Sequence, residues 1–466
     1  MRGQETPMLE GRVQESTVRG HLALVLSCPR TPVRKSDAAP QIPIVEDAML
    51  KEQDRGKFKR EATVPGAPKW AAAIGRRDAL YSRESDIRTP FGRDYTRILH
   101  STAYRRLKHK TQVFFSPEND HVSTRIDHVH YVVSISRIIA DFLGLNGELT
   151  EAIAIGHDLG HPPFGHDGEM IIGRIAAQEK TAGEGRLPFW HGRNGLKYVD
   201  DLELLTGPDG RKHNLDLTYG VRDGIIAHSG PVGSGGLFPR DKAIDLADFR
   251  YPGEYEPYTW EGCIIKLADN ISYLGRDIDD AMILGIMDQG QYHEVSAIVD
   301  AYTRAHGDAP AGMNNANVIH LMVTDLCENS SPERGLCFSP EASEAMAAVL
   351  EMNRKYIYYH PRLQGYKDYG ERIIHTVYDA LWDLCTDLEG RLPYYRAQFP
   401  LLTDGFTGWF ANYSDSRTPE DAKLLANRVI YHHGDGPAMY KQAILDYISG
   451  MTDRYIEKLY REQITF

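Results

Sequence analysis

From about residue 75 onward, apolar side chains recur at the spacing of an α-helix and almost never alternate as they would in a strand. In RIDHVHYVVSISRIIADFLG, Ile126, Val129, Val132, Val133, Ile139, Ala140 and Leu143 keep a period of about 3.6 residues. Gly144 and Asn146-Gly147 mark a turn, after which Leu149, Ile153 and Ile155 predict a second helix. Pro162 and Pro163 must end it, because proline lacks the N–H and clashes with the preceding turn. A further helix is predicted over 261–287, and helical spacing returns in SPEASEAMAAVLEMNRKYI, GERIIHTVYDALWDLCTDLEG and MYKQAILDYISGMTDRYIEKLY. No repeat of solenoid period is present. The fold class is all-α.

Residues 1–70 are rich in Pro, Arg, Lys, Glu and Gln without a sustained apolar period, which predicts a flexible extension. Met49 opens a charged stretch and is an alternative start. The run LALVLSC at 22–28 is too short for a signal peptide, and no segment reaches the roughly 18 apolar residues of a membrane span. Five scattered cysteines, odd in number and without Cys-x-x-Cys spacing, read as reduced thiols in a cytoplasmic protein. A formal net charge of −12 argues against nucleic acid as the main partner and against a membrane surface, while leaving room for a local basic pocket. The Gly-rich piece SGPVGSGG at 229–236 lacks the Gly-Lys-Ser/Thr of a phosphate loop.

The stretch GHDLGHPPFGHDGE at 156–169 places three histidines and three carboxylates in fourteen residues. His157 and His161 are four apart and would share a helix face, and His166 and Glu169 are three apart beyond the prolines. His128 lies on a largely apolar helix, and Asp269 interrupts the stripe Ile264, Ile265, Leu267, Ala268, Ile271. A buried carboxylate needs a cation or donors. Two imidazoles and two carboxylates suit a divalent transition metal, and Mg²⁺ less well. Each of these residues alone is more often a satisfied core histidine or a salt-bridge partner. The combination favours a metal site with an acid–base pair.

The segments RTPFGRDYTRILHSTAYRRLKHKTQVF (88–114), TRIDH (124–128), HDLGHPPFGHDGE (157–169) and KLADNISYLGRDIDDA (266–281) resemble the HD-superfamily deoxynucleoside triphosphate triphosphohydrolases, in particular the bacterial dGTP triphosphohydrolase-like proteins. The resemblance spans roughly residues 75–440. Plain HD hydrolases share His-Asp but not the HPPFGH continuation.

Carried over position by position, the resemblance implies metal ligands at His128, His157, Asp158 and Asp269. It implies a catalytic pair at His166 and Glu169, with His161 lining the phosphate site. Gln112, Arg125, Tyr273 and Asp277 fall on positions that hold deoxyribose or phosphates, and Asp269, Tyr273 and Asp277 are spaced i, i+4, i+8. Lys108 and Lys110, with Arg105 and Arg106, are further candidates for holding a triphosphate or else a solvated basic face. Where close relatives commonly read Phe-Glu-His-Asn-Glu-Gln, this chain has Phe189-Trp190-His191-Gly192-Arg193-Asn194. His191 is kept as a phosphate-contacting imidazole, but the amide after it is lost.

The resemblance therefore implies an HD catalytic core over 71–290, with C-terminal helices over 291–466 packed on it. One divalent ion is expected, Mn²⁺ or Mg²⁺ first, with Ni²⁺, Co²⁺, Fe²⁺ and Zn²⁺ as further candidates. The implied activity is hydrolysis of dGTP or another dNTP to deoxynucleoside and triphosphate. A dNTP activator and a homo-oligomer are implied by the family alone. The alternatives are an HD phosphohydrolase acting on another nucleotide, such as a deoxynucleoside monophosphate, and a non-catalytic nucleotide- or single-strand-binding regulator.

Overall fold

Why the helices gather around one short segment follows from its burial. Helix α3 (Gly147–Gly156) buries Leu149, Thr150, Ala152, Ile153, Ala154, Ile155 and Gly156. A helix apolar on every face has to be surrounded. Its neighbours are α1 (Pro90–His100), α2 (Arg125–Leu143), α6 (Tyr219–Ala227) and α7 (Trp260–Leu274). The computed structural model describes residues 54–78, 80–81, 86–115, 119–178, 188–233, 235–305 and 313–465. The LALVLSC run, Cys28, Met49 and Ser234 lie outside the described residues.

Local chemistry sets the ends of these helices. α2 ends at Leu143, with Gly144 in the left-handed region at φ 82°. Asn146 then caps α3, its side chain accepting from the backbone of Glu148 and Leu149. Beyond α3 come α4 (Gly165–Gln178), α5 (His191–Lys197), α6, α7, α8 (Arg276–Ile283) and, in the C-terminal half, α9 (Pro361–Thr386) and α10 (Pro437–Ser449). α9 packs on α4 and α10. Among the described residues one two-stranded antiparallel hairpin is found, β1 (Leu204–Thr206) with β2 (Lys212–Asn214), Leu205 opposite His213. The fold is all-α.

Two predicted helices are shorter than their sequence pattern. α3 stops at Gly156, so His157 and His161 stand in a turn that follows it and do not share a helix. The turn presses on α5: a Cβ at Gly160 would lie 2.1 Å from the Gly195 nitrogen and from the His191 carbonyl oxygen. The helix predicted over 261–287 is broken at Gly275 into α7 and α8. The Asn353 amide takes the Leu274 carbonyl at 3.1 Å, removing an acceptor from the helical ladder.

The boundary expected at residue 70 is also corrected. Phe58 is fully buried and meets Trp260 edge to face at 4.9 Å. Thr63 donates from its backbone and hydroxyl to the buried Glu261 carboxylate at 2.9 and 2.8 Å. One apolar side chain and one carboxylate anchor, too few to make a period, tie residues 54–70 to α7. Phe58→Ala is expected to cost about 3–5 kcal/mol, read as a lower urea midpoint with an unchanged slope. A flexible extension would leave the midpoint where it is.

Candidate active site

α3 delivers His157 and Asp158 into the interior, α2 brings His128, and α7 brings Asp269. His157 Nε2 lies 3.4 Å from His128 Nε2 and 3.6 Å from Asp158 Oδ1. Asp269 Oδ1 lies 3.0 Å from His128 Nε2 and 4.0 Å from His157 Nε2. The structure thus brings the four predicted ligands together. The tautomers fit a metal. His157 Nδ1–H donates to the Ala154 carbonyl at 2.7 Å, so its Nε2 lone pair faces the cluster. Ser272 spends its proton on the Asp269 carbonyl and so accepts from His128 Nδ1–H at 3.1 Å, leaving His128 Nε2 to the cluster. Burial would lower the His128 value, but the Asp269 hydrogen bond and the Asp158 charge outweigh it and raise it. The centre between these groups favours a cation.

Asp158 is the hinge of the site. Its Oδ2 accepts from Arg125 Nη1 at 2.8 Å and its Oδ1 from His161 Nε2 at 3.0 Å. Burial opposes its ionisation, but His161 and Arg125 hold its carboxyl well below the usual range. Arg125, expected to hold substrate, is 1% exposed and also donates to the Thr111 and Gln112 carbonyls. The structure makes it the counter-charge of Asp158.

A second cluster adjoins the first. His166 Nδ1 lies 3.3 Å and His191 Nδ1 3.0 Å from Glu169 Oε2, and the His191 backbone N–H donates to Glu169 Oε1 at 3.0 Å. The His161 and His191 rings stack at 4.0 Å and 12°. Burial would raise the Glu169 carboxyl, but the His191 charge and both imidazole contacts push it far down. Burial would lower His191, and Glu169 raises it instead. Burial and the Arg125 charge hold His161 well below its ordinary value. The chain reverses at Phe164 and Gly165, φ 65° and 58°, and Asp453 holds that reversal by accepting from Phe164 N at 3.0 Å and Thr111 N at 2.8 Å.

The remaining predicted residues divide. Gln112 keeps a buried amide oxygen with no protein partner among the described residues. Asp277 is 3% exposed and accepts from the Tyr358 hydroxyl at 2.5 Å. Tyr273 is half-buried, its hydroxyl on Asn270 Oδ1 at 2.9 Å. Lys110 does not face a triphosphate: it is buried and donates to the carbonyls of His161 and of Ser449, the latter at 3.2 Å. Arg106 pairs with Glu203 at 2.6 Å, and Lys108 and Arg105 are exposed. Asn194 donates to the Gly160 carbonyl at 2.7 Å and so braces the His-Asp turn.

Sequence reasoning missed His228, Ser229 and Tyr358. His228 Nδ1–H donates to the Ile225 carbonyl at 2.7 Å, and its Nε2 lies 3.2 Å from His191 Nε2. Ser229 Oγ lies 3.0 Å from His191 Nε2. A Cβ at Gly192 would sit 2.8 Å from that hydroxyl, so losing a side chain after His191 admits Ser229. Burial, then the charges of His157 and His191, lower His228 to about 3. The signal was legible: a histidine directly after an apolar helical run, GIIAH, as in IAIGH.

An HD-domain family model matches residues 125–274, the span from the start of α2 to the end of α7. A phosphohydrolase-associated domain matches 420–462. The deoxyguanosinetriphosphate triphosphohydrolase-like protein of Desulfatibacillum aliphaticivorans is 33% identical over 81% of this chain and 88% of its own length. Its namesake in Caldanaerobacter subterraneus subsp. tengcongensis is 31% identical over 85% and 91%. The chain belongs to this HD-domain family. Its class is that of the phosphohydrolases, and His128, His157 and Asp158 form one of the clusters that could hold a divalent metal. No helix among the described residues is long and apolar enough to cross a membrane.

Asp277 supplies a test of the pocket. Burial pushes its carboxyl up to about 7, against the Tyr358 hydrogen bond. A carboxyl raised in the folded state is neutral at low pH without penalty. The cost of ionising it grows from the unfolded value near 3.8 and is complete above about 7. That cost is on the order of 4 kcal/mol. Asp277→Asn, which keeps an acceptor for Tyr358, is expected to raise the melting temperature of chelator-treated protein above that range. Below the unfolded value the two proteins should melt together. Equal melting at alkaline pH would contradict the burial argument.

Proposed function

We propose that this protein hydrolyses a deoxynucleoside triphosphate, dGTP or another dNTP, to the deoxynucleoside and inorganic triphosphate. The observation that carries the reading is the junction at His161. Its ring bonds the ligand Asp158 at 3.0 Å and stacks on His191 of the acid–base cluster at 4.0 Å, so both clusters address one phosphate. When bound by His128, His157, Asp158 and Asp269, a divalent ion supplies Lewis acidity toward a phosphate oxygen and lowers the pKa of water. Mn²⁺ and Mg²⁺ are the first candidates, and the two imidazoles favour a transition metal.

The side chains have separable tasks. His166 is largely exposed and is held through Nδ1 by Glu169, which leaves Nε2 to give a proton to the departing 5′-oxygen. His191, held by Glu169 on one side and Ser229 and His228 on the other, fixes positive charge beside the phosphates. His161 offers Nδ1, a buried acceptor without a partner among the described residues, to water. Gln112 Oε1 accepts from a sugar hydroxyl, and Asp277, with Tyr358 and Tyr273, adds further sugar contacts. Side chains packed against the deoxyribose edge crowd an added 2′-hydroxyl. We read residues 71–290 as the catalytic core and 291–466 as helices that complete it through Tyr358 and Asp453. The cytoplasmic location read from the cysteines, and the homo-oligomer and dNTP activator implied by the family, extend this reading.

Chromatography of phosphate-labelled dGTP is expected to give deoxyguanosine and intact triphosphate, with slower turnover of GTP. His166→Ala should keep nucleotide binding and lose about 10²–10⁴-fold in rate. Pyrophosphate or orthophosphate as the primary product would contradict the reading.

A further inference from the structure

The helix that carries His191 also walls a second cavity, of about 1000 Å³. None of the candidate active-site histidines and carboxylates lines it. Trp190, Arg193, Leu196 and Lys197 reach it from the start and body of α5, Leu246 from the segment after α6, and Leu445 from α10. Arg193 and Lys197 are four residues apart and so share one face of α5. The volume is that of a pocket for a whole small molecule. Apolar side chains with a few convergent polar groups are the usual lining of such a pocket.

Most charges on this wall are already paired. Arg222 forks onto Asp200 with both contacts at 2.6 Å, Arg77 reaches Asp200 at 3.1 Å, and Lys197 pairs with Asp446. Asp201 meets Arg428 at 3.2 Å, and the exposed Asp245 accepts from the Ala247 backbone at 3.0 Å. Arg193 differs. Among the described residues it forms no ion pair; it gives Nη1–H to the Phe249 carbonyl at 2.7 Å, and its guanidinium lies 5.7 Å from the centre of the Trp190 ring. The rest of its N–H fork is unspent. Burial lowers its pKa, and no carboxylate offsets the loss. A half-buried cation without a counter-ion is costly, and an anion placed on it removes that cost. Trp190 and Arg193 both stand where the related motif Phe-Glu-His-Asn-Glu-Gln has glutamate. At these two positions the chain has exchanged acid for an aromatic ring and a cation.

We propose that this cavity binds an organic monocarboxylate with an aromatic or branched apolar body. Arg193 holds the carboxylate through its free N–H groups, and Leu196, Leu246 and Leu445 take the body. One guanidinium answers one carboxylate. A triphosphate brings more negative charge than this wall can offset, so the site is distinct from that of the nucleotide. Binding here depends on neither the metal nor the phosphate chemistry proposed above.

The test uses the full chain and a fluorescent aromatic monoanion, anilinonaphthalene sulfonate, whose sulfonate stands in for the carboxylate. Its uncharged counterpart, N-phenylnaphthylamine, carries the same body without the anion. Circular dichroism confirms that each variant is folded. Wild type is expected to bind the sulfonate at least about tenfold more tightly than Arg193→Gln does, with Arg193→Lys between them. Ala176→Phe, which fills part of the cavity from α4, should weaken the dye while keeping the cation. The uncharged dye should bind wild type and Arg193→Gln alike. Asp269→Ala and Glu169→Gln, which dismantle the candidate active site, should bind the sulfonate as wild type does. Equal affinity of the sulfonate for wild type and Arg193→Gln overturns the site. So does an affinity that falls in Asp269→Ala and Glu169→Gln but not in Ala176→Phe, which would place the dye among the active-site histidines.

Discussion

Asp158 is 3% exposed, and an ionised carboxylate at that depth costs several kcal/mol unless it is paired on every side. Arg125 and His161 provide that pairing, and much of the molecule serves to hold them. Arg125 is anchored by the carbonyls of Thr111 and Gln112. Thr111 is fixed in turn by Asp453, from the far end of the chain, which also holds the left-handed Phe164. A buried cation at Arg125 therefore ties the segment before α2, the turn after α3 and the C-terminal helices to one carboxylate. Removing the Arg125 partner would leave an uncompensated charge in the core, which is the costly way to break such a pair.

Around that anchor the histidines are arranged by a repeated device. His157 and His228 each follow an apolar helix and each give Nδ1–H to the carbonyl three residues earlier, at 2.7 Å. Both rings thus point Nε2 away from their own helix, one toward His128 and Asp158 and one toward His191. Because α3 and α6 pack against each other, the two rings meet edge to face at 5.1 Å. The same backbone geometry, used twice, sets His157 beside His128 and His228 beside His191. Glu169 closes the network by drawing His166 and His191 onto one oxygen.

How much of this was legible depends on whether a residue's role is local. The helical period of α2 and α3, the Gly144 and Asn146 turn and the unusual density of histidines all survive in the structure, because each is decided by near neighbours. Spacing also suggested that His157 and His161 share a helix, which fails: the turn is dictated by contact between Gly160 and α5, a tertiary fact. Lys110 and Arg125 read as basic residues for a phosphate, yet their partners lie 51 and 33 residues away and turn both inward. Tyr358 could not be placed, since its partner Asp277 is 81 residues distant. Residues 54–70 lack a period but pack through Phe58 and Thr63. A single aromatic and a buried carboxylate leave no pattern to read.

The proposed reaction requires that the His128, His157, Asp158 and Asp269 cluster and His166 act on the same phosphorus, with attack at the α-phosphate and protonation of the sugar 5′-oxygen as it leaves. Turnover of dGTP in heavy-oxygen water, followed by mass spectrometry of both products, tests that requirement directly. The account predicts one labelled oxygen in the inorganic triphosphate and none in the deoxynucleoside. Label in the deoxynucleoside hydroxyl, or in orthophosphate or pyrophosphate released first, would contradict it.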